Sequence, residues 1–241
     1  MKLKPIIHLG CTLALCALSG AVAAQTGRPT IAVAEFTNQT NSAYWWNGDV
    51  GHQLADVLSN ELSSTGDFNV VERQKLDAVI GEQDLASSGR VRRGSGPRTG
   101  NITGAHYLIT GIVSAYTEDT SNTGGGLSFH GMSFGGGKSQ AYVAIDLRVI
   151  DSETSEVVYS RTIEGTTTNT SVDVGGYFRN GLGSTFSQKK NTPAGKAVRG
   201  AIVEATDYLD CVMVKRDSCM AGFNQKEQRR RDNDRKVLDL Q

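Results

Sequence analysis

Downstream of residue 24 this sequence has no apolar stretch approaching the ~20 residues that a membrane-spanning helix needs. If the mature chain enters a bilayer, it must do so as β-strands, because only helices and closed barrels satisfy backbone N–H and C=O groups in lipid. The first residues are a separate matter. Met1-Lys2-Leu3-Lys4 is positively charged, an apolar run follows from Ile6 to Leu18, and small residues close it at Ala21-Val22-Ala23-Ala24. That order is the one a secretory signal peptide uses, with cleavage expected after Ala24. Cys16 follows the bulky Leu15, and Cys11 would leave an unusually short apolar region, so lipidation is not expected. About 217 residues remain, enough for one large domain or for one domain with insertions.

The mature chain carries period-2 and period-3.6 patterns in alternation. Thr30 to Phe36 reads as a first strand with Ile31 and Val33 on one face. Val50, Leu54, Val57, Leu58 and Leu62 form a helical stripe, which Asn47 or Asp49 can cap and Gly66 ends. Phe68 to Val71 is a short strand. Glu72 to Ala86 then predicts a helix with Leu76, Val79, Ile80 and Leu85 inward. The Arg-, Gly- and Ser-rich stretch 90–103 is a loop. Strands follow at Tyr107–Val113 and Ala141–Ile150, and Val157–Ser160 returns as a hairpin partner. Pro193 opens a helix with Ala197, Ala201, Ile202, Ala205 and Leu209 on its buried stripe. The expected fold class is α/β. Residues 25–215 form a mixed α/β domain with insertions at about 114–142 and 160–190, and 216–241 is a charged tail, either a solvated helix or disordered.

The insertions carry the functional signal. The first is glycine-rich yet holds Leu127, Phe129, His130, Met132 and Phe134, more apolar than a solvent linker requires. In the second, Val172, Val174, Phe178, Leu182 and Phe186 share one face, and Ser171, Asp173, Gly175, Tyr177 and Arg179 the other. This suits a transmembrane β-strand with its apolar set toward lipid, and equally a half-buried strand in a soluble sheet. Two hairpins cannot close a barrel, and open edges in lipid leave backbone groups unpaired. A membrane role therefore requires several copies sharing one barrel.

Cys211 and Cys219 are the cysteines left after processing. Eight residues along one helix rise about 12 Å, whereas bridged Cα atoms lie within about 7 Å. A disulfide therefore forms only if the chain turns between them, as Arg216-Asp217-Ser218 allows.

Composition argues against several chemistries. Formal net charge is +0, which gives no argument for nucleic acid. His52, His106 and His130 lack metal-ligand spacing with Cys or Glu, and there is no G-x-S-x-G elbow and no Walker loop. No enzyme activity, metal or cofactor is expected.

Several stretches taken in order resemble the CsgG-type curli assembly and transport family: Val71-Glu72-Arg73-Gln74-Lys75-Leu76, Gly111-Ile112-Val113-Ser114-Ala115-Tyr116, Val143 to Ile150, and Thr154-Ser155-Glu156-Val157, with both insertions. The resemblance spans roughly residues 29 to 210. It implies a homo-oligomeric ring with periplasmic α/β domains and a composite outer-membrane β-barrel. Its implied partners are outer-membrane lipid, accessory secretion factors and unfolded amyloid-type subunits, which pass by diffusion without nucleotide hydrolysis. It also implies a pore-narrowing loop of aromatic, asparagine and aromatic residues after the first strand. The matching residues here are Tyr44, Trp45, Trp46 and Asn47, with Gly48 standing where the family has an aromatic. Read without the resemblance, the same aromatics form a hydrophobic staple on the following helix. A soluble periplasmic adaptor with the same α/β core and no pore is the alternative reading.

Overall fold

The computed structural model describes residues 27–40, 46, 48–119, 127–129, 132–134, 140–167 and 193–238. The elements are β1 (Thr30–Val33), β2 (Thr37–Asn38), α1 (Val50–Thr65), β3 (Asn69–Val70), α2 (Leu76–Ser87), β4 (Tyr107–Asp119), β5 (Leu127–Phe129), β6 (Met132–Phe134), β7 (Gln140–Asp151), β8 (Val157–Thr167), α3 (Pro193–Asp210) and α4 (Cys219–Val237). A π-helical turn, Cys211–Lys215, follows α3.

The main sheet runs β3-β1-β4-β7-β8, and β2 adds to β4 beyond the end of β1. β1, β2 and β3 are parallel to their partners, and the β4–β7–β8 side is antiparallel. The sheet is therefore mixed, as parallel strands reached through helices and an antiparallel meander produce together.

Alternation places the core on one face. Ala141, Val143, Ile145, Leu147 and Val149 of β7 are all buried, together with Ile109 and Val113 of β4 and Ile31 and Val33 of β1. α1 and α3 cover that face with the expected stripes: Leu54, Leu58 and Leu62 from α1, and Ala197, Ala201, Ile202, Ala205 and Leu209 from α3. Small residues on α3 let it approach β8 closely. A Cβ at Gly165 would collide with the Ala197 carbonyl, and one at Gly111 of β4 would enter the Phe36 ring. These two glycines set the depth at which helix and ring seat on the sheet.

Three local expectations need correction. Val79, Ile80 and Leu85 of α2 do not point inward; each is 40–42% exposed. Gln83 takes the buried position of that helix instead. The helix packs too little on the sheet for its apolar stripe to decide its orientation, and its start is held by polar contacts: Gln74 with His52, and Lys75 with Asp56. Its boundary also moves to Leu76, because the Glu72 carboxylate accepts from the Gln74 and Lys75 amides in a turn of its own. At α1, Asp49 occupies the N-cap without a side-chain capping hydrogen bond.

The charged tail is largely the helix α4. Cys211 and Cys219 are disulfide-bonded with Cα atoms 6.0 Å apart. The chain reverses there through the π turn and Arg216 in the left-handed region at φ 48°.

Candidate functional site

Strand direction gathers three segments at one end of the sheet. β4 and β7 stay paired as far as Asp119↔Gln140, so the first insertion leaves and returns between adjacent strands. β8 pairs with β7 up to Ala141↔Thr167, so the second insertion departs one strand over and one residue away in register. β2 runs parallel to β4 with Thr37↔Ile112 and Asn38↔Val113, and the Gln39 amide donates to the Val113 carbonyl at 2.9 Å. The chain that follows Asn38 is thus headed toward the same end.

The neck of this third segment is built by local chemistry. The Asn38 side-chain oxygen accepts from the Thr40 amide at 2.8 Å and from the Thr40 hydroxyl at 2.9 Å, an Asx turn at the end of β2. On the return side the Phe36 amide donates to the Gly51 carbonyl at 3.3 Å, which clamps the start of α1 onto the strand it left. His52 Nε2 lies 3.5 Å from the Glu35 carboxylate across the same neck.

Buried tyrosines brace the strands just below the exits. Tyr116 donates to Glu118 and Tyr142 donates to Glu164, each at 2.6 Å. Burial, and then the Glu164 carboxylate, push the Tyr142 hydroxyl well above the ordinary phenol range. It is therefore a donor at every physiological pH, and the pair ties β7 to β8 across two residues that stand next to the root of the second insertion.

α4 follows β8 along the outer edge of the sheet. Arg161 donates to the Phe223 carbonyl at 2.8 Å and to the Asn224 side-chain oxygen at 3.0 Å, while its guanidinium lies over the Tyr208 ring. Phe223 meets Tyr208 edge-on at 5.4 Å, and Lys226 pairs with Glu204 at 3.0 Å. Further along, Arg230 bonds Glu227 at 2.8 Å and Asp234 at 2.9 Å within reach of the Glu164 charge. A groove of about 500 Å³ opens between the two elements, lined from Arg161 to Thr166 on one side and from Phe223 to Asn233 on the other. Sequence reading missed this arrangement. The signal was there in the spacing of Met220, Phe223, Glu227, Arg230 and Asp234, but charge disguises it as a solvated stripe.

Of the residues matched to a pore-narrowing loop, Trp46 is partly buried and packs against the core cluster. Tyr44, Trp45 and Asn47 lie outside the described residues, as do Val172, Val174, Phe178, Leu182 and Phe186. Within the first insertion β5 and β6 form an antiparallel pair with Leu127↔Phe134 and Phe129↔Met132. Among the described residues no group of three or more His, Cys, Asp or Glu is placed to hold a metal ion, and no helix is long and apolar enough to cross a membrane.

The protein is a mixed α/β scaffold in which two long inserted segments leave from one end of the sheet. The chain belongs to the family described as curli production assembly/transport component CsgG, whose model matches residues 17–237. A Neisseria meningitidis serogroup B protein named as a candidate lipoprotein is 33% identical over 138 residues, a match spanning 55% of this chain and 56% of that relative. The chain thus aligns with little more than half the length of this relative. Among solved structures, a hypothetical protein of Chlamydia trachomatis, CT253, superposes with a TM-score of 0.47 at 11% identity, over 78% of this chain and 99% of that one. A lipoprotein of Neisseria meningitidis, GNA1162, gives 0.34 at 14% identity, over 61% and 88%. Both are partial likenesses.

Proposed function

We propose that this protein is a subunit of an outer-membrane secretion channel that passes unfolded, curli-like amyloid subunits from the periplasm. One observation carries the reading: both insertions and the loop after β2 issue from the same end of the sheet. A membrane at that end would receive the two insertions side by side as hairpins, and their open edges would require neighbouring copies to close a shared barrel. The loop after β2 would then stand inside the ring, where Tyr44, Trp45, Trp46 and Asn47 narrow the passage. Aromatic rings suit an extended chain in transit, since they contact backbone and side chains weakly without demanding sequence. Family membership and the export signal support this reading. It requires no cofactor and no catalytic group, because the cargo moves by diffusion.

One observation favours the second reading, a soluble periplasmic adaptor. Trp46 packs on the core, as a staple residue would.

The test is purification of the mature protein with and without detergent. A channel subunit partitions with outer membranes and elutes from detergent as a large ring that conducts in planar bilayers. A monomer recovered from the soluble periplasmic fraction, with no conductance, would overturn the channel in favour of the adaptor.

A further inference from the structure

We propose that the C-terminal turn of α4 rests on an anionic bilayer surface beside the roots of the insertions. The inference builds on the membrane orientation given under Proposed function. It starts from the direction of α4. The helix passes Arg161 at Phe223 and Asn224, and further along Arg230 and Asn233 line one groove with Glu164 and Thr166. Tyr142 pairs in register with Thr166, and the next pair, Ala141↔Thr167, is the last before the second insertion. At 1.5 Å per residue, the turn after Asp234 extends about 6 Å further in the same direction. It therefore stands level with both insertion roots.

The residues of that turn have the chemistry of an interfacial contact. Arg235 and Lys236 are exposed. Val237 and Leu238, 53% and 64% exposed, are among the most exposed large apolar side chains of the described residues. A cationic turn ending in exposed apolar residues, held at the level of the lipid, fits headgroup phosphates flanked by acyl chains. The helix as a whole supports this, since Lys226, Arg229, Arg230, Arg231, Arg235 and Lys236 outnumber Glu227, Asp232 and Asp234. Arg230 is consumed by Glu227 and Asp234, and Arg231 by Glu227. Arg235 and Lys236 are the cations left for the surface. The competing role for Arg235 and Lys236 is to complement the helix dipole. That role accounts for the charge but gives no part to Val237 and Leu238.

The experiment labels the full mature chain, with its native disulfide formed, at Leu238→Cys with an environment-sensitive dye. Ser152→Cys, in the β7–β8 turn at the opposite end of the sheet, is the control. Vesicles of phosphatidylglycerol with phosphatidylcholine are compared with vesicles of phosphatidylcholine alone. The expected result is a blue shift at 238 and not at 152, stronger on the anionic vesicles. Arg235→Glu with Lys236→Glu should weaken it by on the order of tenfold in lipid concentration. Protein that floats with both kinds of vesicle, resists salt extraction and shows the same aqueous emission at 238 overturns the contact and leaves the barrel intact. Protein that salt strips from the vesicles, yet shifts at 238 on anionic lipid before stripping, sustains the contact and sinks the barrel. No flotation and no shift overturns both.

Discussion

Cys211 directly follows the buried end of α3 and Cys219 opens the exposed helix α4, so one disulfide ties the end of the best-packed helix to the one that buries no residue. The bridge spans a sequence separation of 8. A loop that short still restricts the unfolded chain, by about 2–3 kcal/mol in the chain-entropy account. In the folded protein it fixes where α4 starts, after which Phe223 and Lys226 find their partners on α3 and β8. Cys219→Ser is expected to lower stability by about 2–3 kcal/mol in denaturant titration. It should also raise amide exchange in α4 well before the sheet exchanges. Protection of α4 unchanged by the substitution would show that the side-chain contacts alone hold it.

The Arg230 cluster predicts a pH dependence. Burial works against the Glu227 carboxylate, but hydrogen bonds from Arg230 and Arg231 outweigh it and hold its pKa below the usual value of 4.5. A depressed carboxylate stabilises the fold above its unfolded pKa, and that contribution is lost as pH falls through the folded value. This contribution to α4 should therefore fade as pH falls below the usual carboxylate value of 4.5, while the sheet and α3 persist. Glu227→Gln should remove the acid-dependent step and cost up to about 1 kcal/mol at neutral pH. Tyr208, in edge contact with Phe223, provides a fluorescence reporter.

How much of this was legible in the sequence depends on what each element packs against. The stripes of β7 and α3 were readable because one face of each is fully buried, so hydrophobicity repeats with the backbone period. The disulfide was readable as a condition, that the chain must turn, and Arg216 in the left-handed region meets it. α2 misled because Val79 and Ile80 have helical spacing without a surface to cover. α4 was obscure for the opposite reason. Its inner stripe turns from Met220 and Phe223 to Glu227, Arg230 and Asp234, where ion pairs within the helix stand in the place of apolar residues. The meeting of three segments at one end was not readable at all, since it depends on β2 adding parallel to β4.

Gly165 offers a test of the scaffold apart from any channel. A Cβ there would strike the Ala197 backbone, which cannot swing aside as a side chain can. Gly165→Ala must push α3 off β8, at a cost of about 1–3 kcal/mol or more. Because α3 begins where the second insertion ends, the variant should also reduce assembly at temperatures where the monomer is still folded. A melting temperature within a degree or so of the parent would contradict the close approach.

The apolar face of the second insertion carries a prediction about lipid. Arg in place of Val174 or Phe178 should cost about 2–4 kcal/mol near the bilayer midplane, whereas Arg in place of Gly175 or Thr185 should be tolerated better. Folding into detergent or lipid, followed by heat-modifiable migration, separates the two sets. Equal tolerance on both faces would count against a barrel strand.

Trp46 decides between the two readings of the aromatic loop. It is partly buried against the core, so Trp46→Ala removes packed surface, with the full 3–5 kcal/mol typical of a buried aromatic as an upper bound. If the loop also narrows a pore, the same substitution should raise single-channel conductance, because resistance concentrates at the narrowest section. Both quantities are measurable on one variant: stability by denaturant titration, and conductance per intact channel in a planar bilayer. A rise in conductance with the ring intact assigns Trp46 to the passage. A destabilised protein whose surviving channels conduct like the parent makes Trp46 a staple, and leaves the constriction to Tyr44, Trp45 and Asn47, whose own Ala variants would then carry the test.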